Sequence, residues 1–446
     1  MDSLIDLLEA NPLDLEKSIA AIRRTDPITA NGRVKQIIGL TIESAGPEAQ
    51  IGEYCEIRSR HRREPVGAEV VGFRGDRVLL MPLGEMDGVG PGSEVVASGH
   101  SLRVPVGPGL LGRVLDGLGR PIDGKEAPEA EAFYPVTNAP PPPLARKRIT
   151  QHLGLGVRAI DGLLTIGRGQ RIGVFSGSGV GKSTLMGIIA RNTEADVNVV
   201  ALIGERGREV RDFLERDLGE DGLARSVVVV ATSDQPALVR LKGASVATAI
   251  AEYFRDQGKD VMLMMDSVTR FAMAQREVGL AIGEPPATRG YTPSVFAQLP
   301  KLLERSGTSD RGSITGLYTV LVDGDDMNEP IADATRGILD GHIILSRKLA
   351  ARNHYPAIDI NSSLSRLMVE ITDDDHQRAA SVLREILSVY SEAEDLINIG
   401  AYNRGSNPKI DFAIDKIDAV NGFLRQGINE RSTFEEAVAM LKEIVS

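Results

Sequence analysis

The chain has 446 residues, of which 42% are hydrophobic and 25% are charged, and its formal net charge is −11. This length allows two or three domains with large cores, and the acidic balance disfavours a general role in binding nucleic acid. The single cysteine excludes an intramolecular disulfide, and the six histidines form no zinc-binding pattern in the sequence.

The first segment, residues 1–26, has an amphipathic pattern that predicts a helix. Its apolar residues recur at helical spacing, and either a partner protein or the chain's own first domain could cover them. These residues are Leu4, Leu8, Leu15, Ile19 and Ile22.

The same segment lacks the features of a secretory signal, because Asp2 and Asp6 stand where a basic region is expected. No apolar run in the sequence approaches the ~20 residues of a membrane span. We expect a cytoplasmic protein that touches a membrane only peripherally.

Residues 27–99 contain short alternating apolar runs separated by glycines, a pattern that predicts a small β-barrel. Arg74-Gly75-Asp76 lies between two such runs and predicts a hairpin turn. The basic cluster His61-Arg62-Arg63 is a candidate nucleic-acid contact. In an acidic, aromatic-poor chain we interpret it as a solvated loop.

Residues 100–372 have the alternation of strand-like and helical runs that is typical of a parallel α/β sheet. The stretch 107–124 is dense in turn residues and leads to a stiff polyproline connector at 138–143, after which we expect the nucleotide-binding strands. The strand-like runs are 197–203, 227–231, 261–265 and 316–322.

Residues 373–446 have helical patterns and no strand signals, and they predict a separate helical lobe. Ser432-Thr433-Phe434-Glu435 matches a capping box, which predicts the start of the last helix.

The segment 170–184, QRIGVFSGSGVGKST, predicts a phosphate-binding loop between a strand and a helix. Ile172, Val174 and Phe175 would form the buried strand, and the glycines would let backbone N–H groups point at phosphate oxygens near a helix N-terminus. Ser176 stands where the usual pattern has glycine, and serine is small enough to fit. The candidate nucleotide-binding residues are Gly177, Ser178, Gly179, Val180, Gly181, Lys182, Ser183 and Thr184.

Within this loop, Lys182 would reach the β- and γ-phosphates and Ser183 would bind Mg²⁺. The run 261–266, VMLMMD, predicts a buried strand that ends in Asp266, the carboxylate expected near the same Mg²⁺. The next residue is Ser267, so the base that activates water must come from another strand end. Glu205, just after the run 197–203, is the candidate.

Four segments, SGSGVGKST, GERGREV, MDSVTRFA and GEPPATRGYTP, resemble the rotary ATP synthase catalytic subunits and their relatives. The resemblance is greatest to the flagellar and type III secretion export ATPases and extends from about residue 33 to the C-terminus. It implies an α/β fold: a RecA-like P-loop core with a parallel sheet, preceded by the small β-barrel and followed by the C-terminal helical lobe.

The resemblance also implies roles for individual residues, with ATP and Mg²⁺ as ligands. Lys182, Glu205 and Asp266 match catalytic positions of the family, and Arg206 and Arg270 match arginines around the same site. Tyr355 matches an aromatic residue that stacks on adenine. Arg366 matches an arginine supplied to a neighbouring subunit's nucleotide.

The function implied is a Mg-ATP-hydrolysing motor of flagellar type III protein export, with the injectisome as the alternative. The implied assembly is a homohexamer at the inner membrane, without nucleic acid. Its implied partners are a dimeric regulator bound to the N-terminal segment, a coiled-coil stalk in the ring channel, the export gate, chaperones and cargo. In related rings the loop matching residues 281–293 faces the channel, which makes Glu284, Arg289 and Tyr291 candidate contacts.

Two other classes of protein share this core. An RNA translocase of the termination-factor type would need a basic, aromatic barrel, and this chain has no tryptophan and is acidic. A non-catalytic ring subunit would lack the carboxylate at Glu205. The C-terminal lobe also lacks the acidic DELSEED-type lever of the synthase catalytic subunit.

Overall fold

The computed structural model describes residues 31–446 except Asp323 and Asp325. The helix predicted for residues 1–26 therefore lies outside the described residues. The chain separates into two compact units, and the division falls between Ser101 and Leu102. Across the described part of the chain, every helix is either too short or too polar to cross a bilayer.

The first unit contains a closed barrel whose described strands follow the order β1-β2-β5-β4-β3-β6 with antiparallel neighbours. Inward-facing side chains such as Ile42, Cys55 and Leu80 are fully buried, as the alternation of a half-buried strand requires. The predicted small barrel is confirmed. Its strands are β1 (Asn31–Ile38), β2 (Thr41–Ala45), β3 (Glu53–Arg58), β4 (Val66–Arg74), β5 (Arg77–Pro82) and β6 (Glu94–Ser101).

The predicted hairpin turn joins β4 to β5, where Arg74 pairs with Arg77. The basic cluster at 61–63 lies in a loop of the barrel. There Arg62 Nη1 donates to the carbonyl oxygens of Glu85 and Asp87 at 3.0 and 3.3 Å, so this arginine joins two loops of the barrel.

The second unit is built on a mostly parallel sheet in the order β17-β16-β10-β15-β13-β11-β12-β8. β17 runs antiparallel to β16, and the short β14 pairs with β15 at the side. The predicted parallel sheet is confirmed. The strands are β7 (Arg103–Val106), β8 (Arg113–Asp116), β9 (Ala132–Pro135), β10 (Arg171–Ser176), β11 (Val197–Ile203), β12 (Ser226–Ala231), β13 (Asp260–Asp266), β14 (Gly307–Thr308), β15 (Ser313–Leu321), β16 (Gly341–Leu345) and β17 (Ile358–Ser365).

Strand β8 comes from the stretch 107–124, ahead of the connector after which we expected the sheet to begin. It pairs with β12 in parallel, with Arg113 opposite Val227. Arg113 also forms two hydrogen bonds with Asp123, of 2.6 and 2.9 Å, which close the loop after the strand. A four-residue strand among many turn residues is too short to give a periodic signal, so this expectation was wrong.

Helices occupy the connections between these strands. Phe213–Leu218 forms a π-helical turn between α3 and α4, and short 3₁₀ turns lie at Pro108–Leu110, Pro143–Ala145 and Thr288–Gly290. The α-helices of this part are α1 (Arg158–Leu163), α2 (Lys182–Asn192), α3 (Gly207–Asp212), α4 (Gly219–Ala224), α5 (Ala237–Asp256), α6 (Val268–Ala281), α7 (Pro293–Leu303), α8 (Pro330–Ile338), α9 (Arg347–Ala351) and α10 (Met368–Ile371).

The C-terminal part is helical, as predicted, and consists of α11 (Asp374–Asn398), α12 (Pro408–Leu424) and α13 (Phe434–Val445). Helix α13 has a capping box, but its N-cap is Thr433 and not Ser432. Thr433 Oγ1 accepts from the Glu436 N–H at 3.2 Å, and Glu436 Oε2 accepts from the Thr433 N–H at 2.9 Å. Because Ser432 and Thr433 each have a glutamate three residues later, the sequence fits both registers.

One arginine joins this helical part to the nucleotide-binding sheet. Arg158 in α1 has a side chain that is 6% exposed, and it forms an ion pair with Glu430. Its guanidinium donates to the carbonyls of Phe423 and Arg425, at the C-terminal end of α12. These carbonyls have no partner within their own helix, so the arginine satisfies them and complements the helix dipole.

A second buried arginine holds the polyproline connector. Arg305 and Glu252 have side chains 4% and 1% exposed and share two hydrogen bonds of 2.8 Å. Arg305 also donates to the carbonyl of Val136 at 2.8 Å, and Asn138 donates to Glu252 at 3.2 Å. The pair therefore links the beginning of the connector to α5.

We expect Arg305→Met to destabilise the protein by about 3–5 kcal/mol, because Glu252 would remain buried without its cation. Urea unfolding would measure the change. The control is Arg336→Met, which removes an ion pair with the exposed Asp333 and should cost less than about 1 kcal/mol. Equal losses for the two variants would contradict a special role for the buried pair.

Candidate nucleotide-binding site

The phosphate-loop residues lie between β10 and α2, at the carboxyl edge of the sheet. β10 is an inner strand between β15 and β16, and its residues 172–176 are buried. Gly181 is the N-cap of α2 and has φ 92°, a left-handed conformation that favours glycine. The N–H groups of the first turn of α2 have no partner within the helix, which makes this end suitable for an anion.

Lys182, Glu205 and Asp266 come together at this edge, although they are distant in sequence. Lys182 begins α2, Glu205 follows β11, and Asp266 is the last residue of β13. Because β11 and β13 are parallel neighbours, with Leu202 opposite Asp266, both carboxylates reach the same edge. Lys182 forms an ion pair with Asp266, and its Nζ lies 4.0 Å from Glu205 Oε1.

Asp266 is held in place by the neighbouring strand. Its side chain is only 4% exposed, and its Oδ1 accepts a hydrogen bond of 2.8 Å from Thr319 Oγ1 on β15. Thr319 is itself fully buried. The carboxylate therefore has a fixed orientation before any ligand binds.

The environment of Glu205 makes its carboxyl group unusually basic. Burial, the charge of Asp266 and a hydrogen bond with Glu209 together raise the pKa of Glu205 to about 8, although Lys182 opposes the shift. The same hydrogen bond lowers the pKa of Glu209. At neutral pH the two glutamates therefore share a proton, carried mainly by Glu205.

The two predicted arginines have different surroundings. Arg206 points outward, with a side chain 80% exposed and a 3.6 Å ion pair to Glu209. Arg270, in α6, packs the aliphatic part of its side chain against Gly204, the residue before Glu205. Arg270 Nε is buried and has no hydrogen-bond partner among the described residues. Arg270 thus lies behind the strand end that carries Glu205.

Tyr355 lies beside the phosphate loop. A Cβ atom on Gly181 would lie 3.5 Å from the Tyr355 ring, an ordinary van der Waals distance. The side chain is nevertheless 42% exposed. A partly exposed ring next to the start of α2 offers a flat apolar surface close to the predicted phosphate position.

Arg366 is not part of this cluster. It follows β17, which runs antiparallel to β16, and its N–H donates to the Asp340 carbonyl at 3.0 Å. Asp340 contacts Arg171, the first residue of β10. Arg366 therefore lies near the amino-terminal ends of the parallel strands, opposite the phosphate loop. The length of β10, from Arg171 to Ser176, separates the two by about 16 Å at ~3.3 Å per residue.

The loop 281–293 has only one of its three candidate contacts well exposed. Tyr291 is 4% exposed and packs under Arg276, whose guanidinium carbon lies 5.4 Å from the ring centre. Glu284 accepts a 2.7 Å hydrogen bond from the Ser294 N–H at the start of α7. Arg289 is exposed and forms a 3.1 Å ion pair with Asp326.

Family comparisons assign the three parts of the chain separately. Residues 34–99 match the beta-barrel domain of the ATP synthase alpha/beta family, and residues 156–365 match the nucleotide-binding domain of that family. Residues 372–443 match the T3SS EscN ATPase C-terminal domain.

Whole-chain relatives include proteins of both export systems. The chain is 58% identical to the flagellum-specific ATP synthase of Bacillus subtilis (strain 168), over 96% of this chain and 98% of that protein. It is 54% identical to the type 3 secretion system ATPase of Xanthomonas euvesicatoria, over 93% of each. The chain belongs to the family of flagellar and type III secretion ATPases.

A solved structure supports the same assignment. EscN of enteropathogenic E. coli, solved as an assembled ATPase in complex with its central stalk EscO, matches this chain with a TM-score of 0.86. The two are 47% identical, and the match covers 93% of this chain and 100% of that one. The RecA-like core between a barrel and a helical lobe, expected from the sequence, is confirmed for this ATPase.

Three residues around this candidate site were not singled out from the sequence. Thr319 lies in a buried strand whose apolar pattern hides its role. Glu209 could have been found, because it stands four residues after Glu205 in the same motif. Arg347 packs its guanidinium on Gly177, where a Cβ atom would lie 2.6 Å from Nε. A side chain at position 177 would therefore displace the Arg347 guanidinium from the loop.

The hydroxyl of Ser176, the departure from the usual loop pattern, is buried without a hydrogen-bond partner among the described residues. It contributes no bond that would hold the loop. The fit of the serine is therefore a matter of size alone.

The raised pKa of Glu205 predicts a pH-dependent stability without nucleotide. Between its ordinary pKa and about 8, only the folded state keeps the proton, so the contribution of Glu205 to stability decreases as pH rises through this window. Glu205→Gln removes this titration. We therefore expect the Tm of Glu205→Gln minus that of the wild type to increase from pH 5 to pH 9.

Thermal unfolding across this pH range would measure the difference, with the exposed Glu370→Gln as the control for removal of a carboxylate. A difference for Glu205→Gln that stays flat with pH would contradict the shift.

Proposed function

We propose that this ATPase is the Mg-ATP-hydrolysing motor of a flagellar protein export apparatus. The observation that carries the proposal is the meeting of Lys182, Glu205 and Asp266 at the carboxyl edge of the sheet. This edge is where open α/β folds bind their ligands. Lys182 supplies a cation for the phosphates, Asp266 a carboxylate of fixed orientation, and Glu205 a carboxyl group with a raised pKa. This combination suits hydrolysis of a phosphoanhydride.

Binding of the triphosphate begins with the loop 177–184. Backbone N–H groups at the start of α2 would donate hydrogen bonds to the phosphate oxygens. Lys182 is paired with Asp266. Its long flexible side chain would let the ammonium turn toward the β- and γ-phosphates. The Tyr355 ring, beside Gly181, would stack on the adenine.

The donor set fits Mg²⁺. Ser183 and Asp266 offer oxygen ligands, the kind that Mg²⁺ prefers. The described residues contain no cluster of three metal-binding side chains, and Mg²⁺ in such sites takes only one or two protein ligands along with substrate phosphates. When bound, the ion would neutralise charge on the phosphate oxygens.

Glu205 would act on the attacking water. Its carboxyl group is close enough to Lys182, at 4.0 Å, to face a γ-phosphate bound by that lysine. Glu205, in its ionised form, would orient the water and accept its proton as the water attacks, and the resulting carboxylic acid would donate its hydrogen bond to Glu209. Arg270, behind the same strand end, would support this position.

The position of Arg366 favours a shared site. Because it lies at the edge of the sheet opposite its own phosphate loop, it is placed for contact with a neighbour. We propose a homohexamer in which Arg366 stabilises the transition state in the adjacent subunit. The relative EscN was solved assembled on a central stalk, and we propose a coiled-coil stalk for this ring, near the exposed Arg289.

The choice of a flagellar system is supported by the 58% identity to the Bacillus subtilis protein. The injectisome remains the second candidate, because a type 3 secretion ATPase is 54% identical. We propose the same partner classes for either system: a dimeric regulator at residues 1–26, an export gate, chaperones and cargo at the inner membrane.

Deletion of the gene in its own host, followed by complementation with this chain, would decide between the systems. We expect loss and recovery of flagellar filaments and swimming motility. Loss of injectisome secretion with normal flagella would transfer the proposal to the second candidate.

Glu205→Gln should abolish hydrolysis while leaving Mg-ATP binding intact, because the amide cannot accept a proton from water. Lys182→Ala should weaken both binding and hydrolysis. Phosphate release and equilibrium nucleotide binding would measure the two effects. Near-wild-type turnover of Glu205→Gln would place the base elsewhere.

The specific activity of the wild type should rise steeply with protein concentration, because an arginine given to a neighbour works only in an assembly. Such arginines are worth about 10³–10⁵ in rate. Arg366→Ala should flatten this rise without preventing nucleotide binding. Specific activity that is constant over a range where sedimentation shows monomers forming rings would exclude the shared site.

A further inference from the structure

The segment Arg425–Glu430, between α12 and α13, connects the C-terminal helices to the nucleotide site. Gln426, within it, is only 6% exposed. Its Oε1 accepts from the Arg158 N–H at 2.9 Å, and its Nε2 donates to the carbonyls of Gly156 at 2.8 Å and Glu430 at 3.0 Å. Both polar atoms of this buried side chain are therefore used.

The backbone of the same residue bonds the proposed adenine-stacking residue. The Gln426 N–H donates to the Tyr355 carbonyl at 3.0 Å. The Tyr355 ring in turn lies against the start of α2. Gln426 thus has its side chain anchored on the residues around α1 and its main chain bonded to Tyr355.

Two arginines hold this segment against α1 and α2. Arg158 pairs with Glu430 and donates to the Arg425 carbonyl. Arg191, in the last turn of α2, donates to the Ile428 carbonyl at 2.8 Å. The segment is therefore bonded to the helix that follows the phosphate loop as well as to Tyr355.

We propose that Gln426 is a positioning residue for base recognition, which fixes Tyr355 and makes base binding depend on the docking of the C-terminal helices. The proposal rests on the proposed stacking of Tyr355 on adenine. Phosphate binding should not need Gln426, because Lys182 and its loop are held by β10 and α2. Substitution of Gln426 should therefore weaken binding of the base and leave binding of the phosphates unchanged.

The experiment compares two ligands, Mg-ATP and Mg-tripolyphosphate, by calorimetry on the full chain. Stacking of a base on an aromatic ring is worth about 5–150-fold in affinity. We expect Gln426→Leu to weaken Mg-ATP binding about tenfold and to leave Mg-tripolyphosphate within about twofold of the wild type. In the Tyr355→Ala background, Gln426→Leu should have little further effect on Mg-ATP affinity, because both changes remove the same stacking interaction.

The matched control is Gln377→Leu. Gln377 also donates twice to backbone carbonyls, those of Val369 and Thr372 at 3.0 and 2.9 Å, but neither carbonyl lies in the Arg425–Glu430 segment. Its replacement should change neither affinity. A milder variant, Gln426→Asn, keeps the amide but shortens the side chain by one methylene, so that the amide no longer reaches all three partners. It buries no charge, should show the same selective loss, and decides the question if Gln426→Leu does not fold.

Equal losses for the two ligands would make Gln426 a structural residue and overturn the proposal. An unchanged Mg-ATP affinity, or effects of Gln426→Leu and Tyr355→Ala that simply add, would also overturn it. Failure of the proposed function would look different, because Lys182→Ala would then leave Mg-ATP binding unchanged.

Discussion

The ion pair between Lys182 and Asp266, with Glu205 beside it, depends on the register of the parallel sheet. Leu202 opposite Asp266 sets where β11 ends relative to β13, and this places Glu205 beside the pair. A slip of one residue in either strand would turn the carboxylate to the other face. The proposed catalytic chemistry therefore depends on strand registry.

Burial around this ion pair has a second consequence for Glu205. A carboxyl group with a pKa of about 8 holds its proton in the nucleotide-free site, so it is a poor base there. Lys182 already opposes the shift from 4.0 Å away. Any further positive charge that binds with the nucleotide would therefore have to outweigh the negative charge of the phosphates before Glu205 became a base.

Local signals were enough to predict the loop between β10 and α2 and the strand that ends in Asp266, because each depends on a short run of residues. The run 261–266 reads as a buried strand with a terminal carboxylate, and Asp266 is found there. The edge strand β8 was missed, because pairing of four residues with β12 is a tertiary effect. The contacts of Gln426 were also out of reach, since its partners Gly156 and Arg158 lie about 270 residues away.

The two ends of the nucleotide site are held by different means. The phosphate end is held within the sheet, by β10 and the helix that follows it. The proposed base end is held from outside, because the Tyr355 carbonyl accepts a hydrogen bond from a segment that joins the C-terminal helices. A movement of those helices, for instance on contact with a stalk or a neighbour, would thus reach the base through Gln426, whereas its route to Lys182 runs through Arg191 at the far end of α2. In a ring, such an arrangement would allow a subunit to loosen its hold on the base while the phosphates stay bound.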